Sequence, residues 1–268
     1  MPEKTKEEAK EKLVWLARAG YCTRGVVYIL VGVLTVLAAF GEGGKTTGTK
    51  GALQTVISSP FGDVMIAIIA VGLFGYAIWR LVQAIKDVDN HGNGAKGLAI
   101  RGGLLVSAVT HTLLGVYAAS MLFGFGTGGG GGDKSGLAAK LMQQPWGRWL
   151  LYLAALCILG AAIAHVIKAY KEKYKDYFSM DSQLMDKVDP LIKFGLVARA
   201  VVFTIISFFF AYAAWTYDPD KAKGLKAALE FIQGQAYGAV LLGLVAFGLF
   251  AFGVYSFLEG FYRRINPE

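Results

Sequence analysis

Among the ionisable side chains inside long apolar stretches of the chain are Arg24, His111, His165 and Arg199. Arg24 and Arg199 fall about one helical turn into their stretches, a depth at which a cation costs a few kcal/mol unless it pairs or reaches back to the interface. Two chemistries fit them. One is anchoring, through helix-end hydrogen bonds or lipid headgroups; the other is attraction of an anion into a cavity opening on the same side. The histidines raise the question of a bis-histidine haem, which needs both ring nitrogens at nearly one depth. His111 stands about eight residues into the third stretch, roughly 12 Å at 1.5 Å per residue, whereas His165 is a few residues from the end of the fourth on the same side. That mismatch predicts polar packing or hydrogen bonding for both, and no cofactor.

Other candidate chemistry falls away on spacing. The segment 41–46 ends like a phosphate loop, but its first glycine would fall at Ala39, inside an apolar stretch and with no strand before it. The glycine run 128–132 also misses the spacing, and both segments read as flexible linkers. Cys22 and Cys157 lie in apolar stretches without metal-ligand or haem-attachment spacing, so they read as structural. The even-numbered stretches are expected to hold few buried charges. No paired carboxylates, metal cluster or Ser/Cys-His-acid set lies within the stretches, and the expectation is a protein that is not an enzyme.

The elements that position these residues repeat. Gly20, Arg24, Gly25 and Tyr28 return about 83 positions later as Gly103, Ser107, Ala108 and His111, and about 175 positions later as Gly195, Arg199, Ala200 and Phe203. A fixed period of this kind dictates architecture. The repeat places Arg24, Ser107 and Arg199 at equivalent positions, with Tyr28, His111 and Phe203 one turn deeper. These six form the candidate polar site on the axis of the molecule. It also aligns Arg18, Arg101 and Lys193 at one rim, where, with Trp15, they are expected to anchor the chain to headgroups.

Composition says what surrounds the repeats. With 55% hydrophobic and 17% charged residues among 268, and a mean hydropathy of +0.48, the chain is solvated by lipid. Its net charge of +8 does not imply nucleic acid, because the Lys and Arg fall between apolar runs and not on a soluble face. Six stretches, near 20–40, 64–85, 102–125, 149–168, 192–215 and 238–258, are each long enough to cross a bilayer as a helix. Of 27 Lys and Arg, 19 lie on the side of the termini and 8 on the other. The positive-inside bias therefore predicts both termini in the cytoplasm and a multi-pass protein of the inner membrane.

Each even stretch opens on an aromatic residue and a glycine: Phe61 and Gly62, Trp146 and Gly147, Tyr237 and Gly238. Short amphipathic segments at 51–57, 136–142 and 224–232 precede them and read as helices lying on the outer interface. The predicted fold is an all-α integral membrane protein of six transmembrane helices, in three parallel two-span repeats with pseudo-threefold symmetry. Its divisions are a cytoplasmic amphipathic segment over 1–19, repeat 1 over 20–90, repeat 2 over 91–180 and repeat 3 over 181–268. Residues 7–18 are expected to form a short separate helix at the interface.

The Gly-x-x-x-Arg-Gly opening at Gly20–Gly25, the Pro-Trp-Gly type of opening to the even spans, and three two-span units in one chain resemble a bacterial membrane-protein family catalogued as a domain of unknown function, number 1206. The resemblance covers almost the whole chain. The middle copy departs from it, with Ser107 for the arginine and His111 for the aromatic. It implies the fold, a membrane location and a bacterial source, and brings no activity, cofactor or catalytic residue with it. The functional expectation from the sequence is a non-enzymatic accessory or scaffold protein that meets membrane lipids, anionic ones included, and a protein partner or further copies of itself. The alternative is a transporter or channel for a small anionic or amphipathic solute with its site on the pseudo-threefold axis.

Overall fold

A computed structural model describes residues 3–41, 46–124 and 138–266, with side chains from residue 7 onward. Among the described residues every named element is helical. Its helices are α1 (Glu3–Ala39), α2 (Thr49–Ile57), α3 (Gly62–Lys86), α4 (Ala95–Leu122), α5 (Gly147–Tyr170), α6 (Ser182–Thr216), α7 (Leu225–Gln233) and α8 (Gly238–Tyr262). Residues 138–142 are helical as well. Six of these, α1, α3, α4, α5, α6 and α8, are long and apolar enough to cross a membrane. The separate interfacial helix expected at 7–18 is instead the first part of α1. Nothing between Lys12 and Gly20 breaks the helical path, and Gly20 continues it because its missing side chain is needed for packing.

The spans follow one another around a ring. The tightest packing joins neighbouring units, α8 to α1, α3 to α4 and α5 to α6, and a second set joins the two spans of a unit, α1 to α3 and α6 to α8. The middle unit lacks that second contact, for α4 and α5 are not among the packed pairs of the described residues. Both are correspondingly bare. Within their most apolar windows only 22% of α4 and 17% of α5 is buried, against 39–50% for the other spans.

Glycine contacts show why the ring closes in two units and not in the third. In lipid, helices approach through small residues. A Cβ on Gly20 would fall 2.5 Å from the Tyr76 nitrogen, and one on Gly195 would fall 2.5 Å from that of Phe252. The equivalent Gly103 has nothing within 4 Å, and the residue in register with Tyr76 and Phe252 is Ala161. One turn further on, Gly72 lies against Thr23 and Gly248 against Ala198. The middle unit has the exposed Cys157 at that position.

The opening of each even span is built alike. The backbone N–H groups of Gly62, Gly147 and Gly238 donate to Ser59, Gln144 and Gln235 at 2.9, 2.9 and 2.8 Å. A Cβ there would lie 2.3 Å from the Ile57 carbonyl oxygen, 1.7 Å from that of Leu141 and 1.9 Å from that of Gln233. Phe61 and Tyr237 stand just before with φ of 60°, a left-handed conformation uncommon for a side-chain-bearing residue. All three aromatics, Phe61, Trp146 and Tyr237, are exposed, as suits a belt at a membrane surface. The amphipathic helices beside them bury matching positions, Ala52, Leu53 and Val56 on α2, and Ala228, Leu229 and Ile232 on α7. Ala52, Ala228, Leu229 and Ile232 share a core with Val31, Val202, Leu242 and Leu249, so α2 and α7 are packed onto the spans.

At the opposite rim the aligned basic residues hold neighbouring units together. Arg18 donates to the Gly260 and Phe261 carbonyls at the end of α8, at 2.7 and 2.8 Å, and Arg101 donates to Ala84 and Ile85 at the end of α3, at 2.7 and 3.0 Å. Lys193 pairs with Glu172, just past the end of α5, and with Asp189 at 2.6 Å. Each of the three thus reaches the unsatisfied last turn of the preceding even span or the segment next to it. Trp15 is different, being 74% exposed beside this rim. Hydrogen bonds from Lys175 and Lys193 hold the Glu172 carboxyl below the usual carboxylate range.

Two expected outcomes follow from this packing. Gly238→Ala should lower thermal stability in detergent by about 1–3 kcal/mol, the usual cost of overpacking, whereas Gly160→Ala, with nothing within 4 Å of the added carbon, should leave it unchanged or raise it. A carboxyl held low in the folded chain stabilises above its unfolded range near pH 4.3 and loses that contribution as pH falls through the folded value. Thermal unfolding should therefore show an acid loss that is smaller in Glu172→Gln.

Candidate functional site

The polar side chains of the bundle gather toward the rim where the even spans end. Arg24 on α1 is fully enclosed and spends its donors on three partners. Its Nε donates to Ser256 Oγ at 3.0 Å, Nη1 to the Tyr76 hydroxyl, and Nη2 to Glu259 Oε2, with which it forms an ion pair. Ser256 and Glu259 sit one turn apart on the same face of α8. The other oxygen of Glu259 meets Arg263 Nη1 at 3.1 Å and Lys168 Nζ at 3.7 Å. Lys168 also donates to the Tyr255 hydroxyl at 2.6 Å, and Arg263 forks onto both oxygens of Asp89 at 3.1 Å. Arg80 donates from Nε to the Tyr76 hydroxyl at 2.7 Å and from Nη1 to Gln83 Oε1 at 2.9 Å.

This layer corrects the expectation that the even spans carry few buried charges. Its signal is in the sequence, read from the opening glycines. Eighteen residues past Gly62, Gly147 and Gly238 stand Arg80, His165 and Ser256, and 21 past them stand Gln83, Lys168 and Glu259. Alignment of the odd spans alone misses both triplets.

Arg199 lies beside this network and outside it. Its guanidinium carbon is 5.0 Å from the Tyr28 ring centroid, 4.7 Å from that of Phe203 and 4.3 Å from that of Phe252. Three ring faces attract a cation, but they do not take up its hydrogens. Nε is buried without a hydrogen-bond partner, and no carboxylate pairs with Arg199 among the described residues. The nearby charges that act on it, Arg24 and Arg80, have its own sign.

Both histidines reach this place. His111 packs edge-on against Tyr76 at 4.5 Å, and His165 against Phe203 at 5.7 Å and Phe252 at 6.1 Å. Arg24 and Arg199 are within Coulombic range of both rings. The difference in depth counted along the sequence thus does not keep them from the same two arginines. Of the six residues expected on the axis, Arg24, Tyr28, His111, Arg199 and Phe203 converge here. Ser107 serves His111, whose Nδ1 lies 2.8 Å from the Ser107 carbonyl oxygen. Tyr76 and Phe252, absent from the sequence-based set, are the rings that connect the parts. Among the described residues no group of His, Cys, Asp and Glu could hold a metal.

Removing one partner of a buried, hydrogen-bonded ion pair leaves the other uncompensated, which costs about 3–5 kcal/mol. Glu259→Gln and Arg24→Gln are each expected to destabilise the detergent-solubilised protein by that order. The double variant should lose less than the sum, since the two changes remove one interaction. Strict additivity in thermal unfolding would show that the pair is not coupled.

Comparison with known proteins agrees with the threefold construction. The family model described as Domain of Unknown Function (DUF1206) matches residues 19–87, 102–172 and 194–263, once for each unit. A relative from Bacillus subtilis (strain 168), "Uncharacterized protein YxxB", is 34% identical over 268 residues, which cover 99% of this chain and 96% of the relative. No solved structure matches. Three matches in tandem, each holding one odd span, one even span and the helix between them, place the chain in the DUF1206 family of uncharacterised proteins.

Proposed function

We propose that this protein resides in the bacterial inner membrane with both termini in the cytoplasm and binds the anionic head of a membrane-borne amphiphile around Arg199. The observation that carries the reading is the Arg199 guanidinium, held by Tyr28, Phe203 and Phe252 with a buried Nε that the chain does not satisfy. A cation in that setting is stabilised by an anion, and structural pairing has already consumed Glu259 and Asp89. The separation of α4 from α5 supplies the route, because a ligand dissolved in lipid can move in from the side. A purely structural scaffold needs no buried guanidinium nitrogen left without a partner. The reading keeps the lipid contact of the first sequence-based expectation and takes from the second only an anion partner for the inward arginine. The cytoplasmic placement of the termini rests on the bias of Lys and Arg toward their side.

The test is thermal unfolding of detergent-purified protein titrated with lipid. Anionic phospholipid is expected to raise Tm progressively with the logarithm of its concentration once sites fill, while phosphatidylcholine does not. Arg199→Gln should abolish that selectivity, and Lys10→Gln, on the exposed start of α1, should leave it intact. Equal stabilisation by both lipid types, or full anionic selectivity in Arg199→Gln, would sink the reading.

A further inference from the structure

The two histidines of the spans both belong to the unit whose helices stand apart, one on α4 and one on α5. Their hydrogen bonding is alike. His111 Nδ1 lies 2.8 Å from the Ser107 carbonyl oxygen and His165 Nδ1 lies 2.6 Å from that of Ala161, each four residues back on its own helix. A carbonyl oxygen can only accept, so Nδ1 carries the hydrogen in both rings and, in the neutral imidazole, Nε2 presents a lone pair. Neither Nε2 has a hydrogen-bond partner among the described residues, and both rings are partly exposed. Beside the guanidinium of Arg199, which only donates, the site thus offers two acceptors that a bare anion cannot use.

We propose that His111 and His165 are specificity residues that select, among anionic headgroups, one carrying hydroxyl donors next to its phosphate, of the glycerol-phosphate kind. This rests on the reading of Arg199 as the anion's partner and adds the second half of the recognition. The phosphate meets the guanidinium, and the hydroxyls of the same headgroup donate to the two Nε2 atoms. The aromatic rings of Tyr28, Phe203 and Phe252 lie against Arg199, Tyr76 packs on His111, and Phe203 and Phe252 pack on His165. The repeat supports the assignment. In the other two units the position of His111 is held by Tyr28 and Phe203, and that of His165 by Arg80 and Ser256, so acceptor nitrogens occur only beside the gap.

The experiment compares phosphatidylglycerol with phosphatidylmethanol, which has the same charge and phosphodiester but no headgroup hydroxyl, by thermal shift and native mass spectrometry of the full chain in detergent. Wild type should bind phosphatidylglycerol more tightly, by roughly threefold to tenfold for each lone pair engaged. His111→Phe and His165→Phe keep a ring and remove the acceptor; each should erode that preference while binding of phosphatidylmethanol persists, which also shows that the variant is folded at the site. His165→Gln, which returns an acceptor oxygen near the place of Nε2, should restore part of it. Free glycerol phosphate at the same concentration should give no shift, and a shift equal to that of the lipid would overturn the lipid as the source. Equal affinity of wild type for the two lipids would overturn the histidine assignment and leave the Arg199 reading standing. Loss of any preference for either anionic lipid over phosphatidylcholine would instead remove the reading on which it rests.

Discussion

A charge surrounded by hydrocarbon must bring its own partners, and around Arg24 this requirement fixes three helices at once. Its donors run to Tyr76 on α3 and to Ser256 and Glu259 on α8. Ser256 and Glu259 can both meet it only if one face of α8 turns toward α1. Glu259 then extends the arrangement to Lys168 on α5 and to Arg263, which reaches Asp89 after α3. Apolar contacts in lipid are weak discriminators of helix rotation, since the competing solvent is as apolar as the neighbouring helix. Directional bonds in a low dielectric discriminate far better.

Where such bonds are absent, small residues take over. The contacts of Gly25 with Phe257 and of Gly32 with Phe250 bring α1 and α8 together over about two turns, and Gly253 answers them from the other side against Ile29. Arg18 then closes the end of that interface, and Arg101 the end of the one between α3 and α4, on helix carbonyls that would otherwise lack donors. Interfaces between units are thus fastened at a polar end and a glycine-lined middle.

The six spans, the interfacial helices and the glycine that opens each even span were legible in the sequence, because lipid sets span length and the repeat shows each feature three times. Other features were not. The continuity of α1 through residues 12–20 was hidden by the change from charged to apolar composition, which marks the membrane surface and not a break in the helix. Glu259 was overlooked as a single carboxylate in an apolar run, for its partners come from residue 24, residue 168 and residue 263. The gap between α4 and α5 was hardest to read, since Gly103 and Gly160 look like packing glycines, and only Cys157 and Ala161 show that the facing surface has changed.

The unpaired state of Arg199 has its cause in the same register. An odd span packs against the even span of the preceding unit, so α1 faces α8, α4 faces α3 and α6 faces α5. The basic position of each odd span is therefore matched with the position 21 residues past the preceding opening glycine. For Arg24 that is Glu259, a carboxylate, and the pair is neutral. For Ser107 it is Gln83, and neither carries charge. For Arg199 it is Lys168, a like charge, which turns instead to Tyr255 and Glu259. Three copies of one unit thus supply two arginines and a single carboxylate at these positions. The cation left over lies on the span packed against the unit whose own two spans are apart, so the divergence of the copies accounts both for the unbalanced charge and for the gap beside its partner helix.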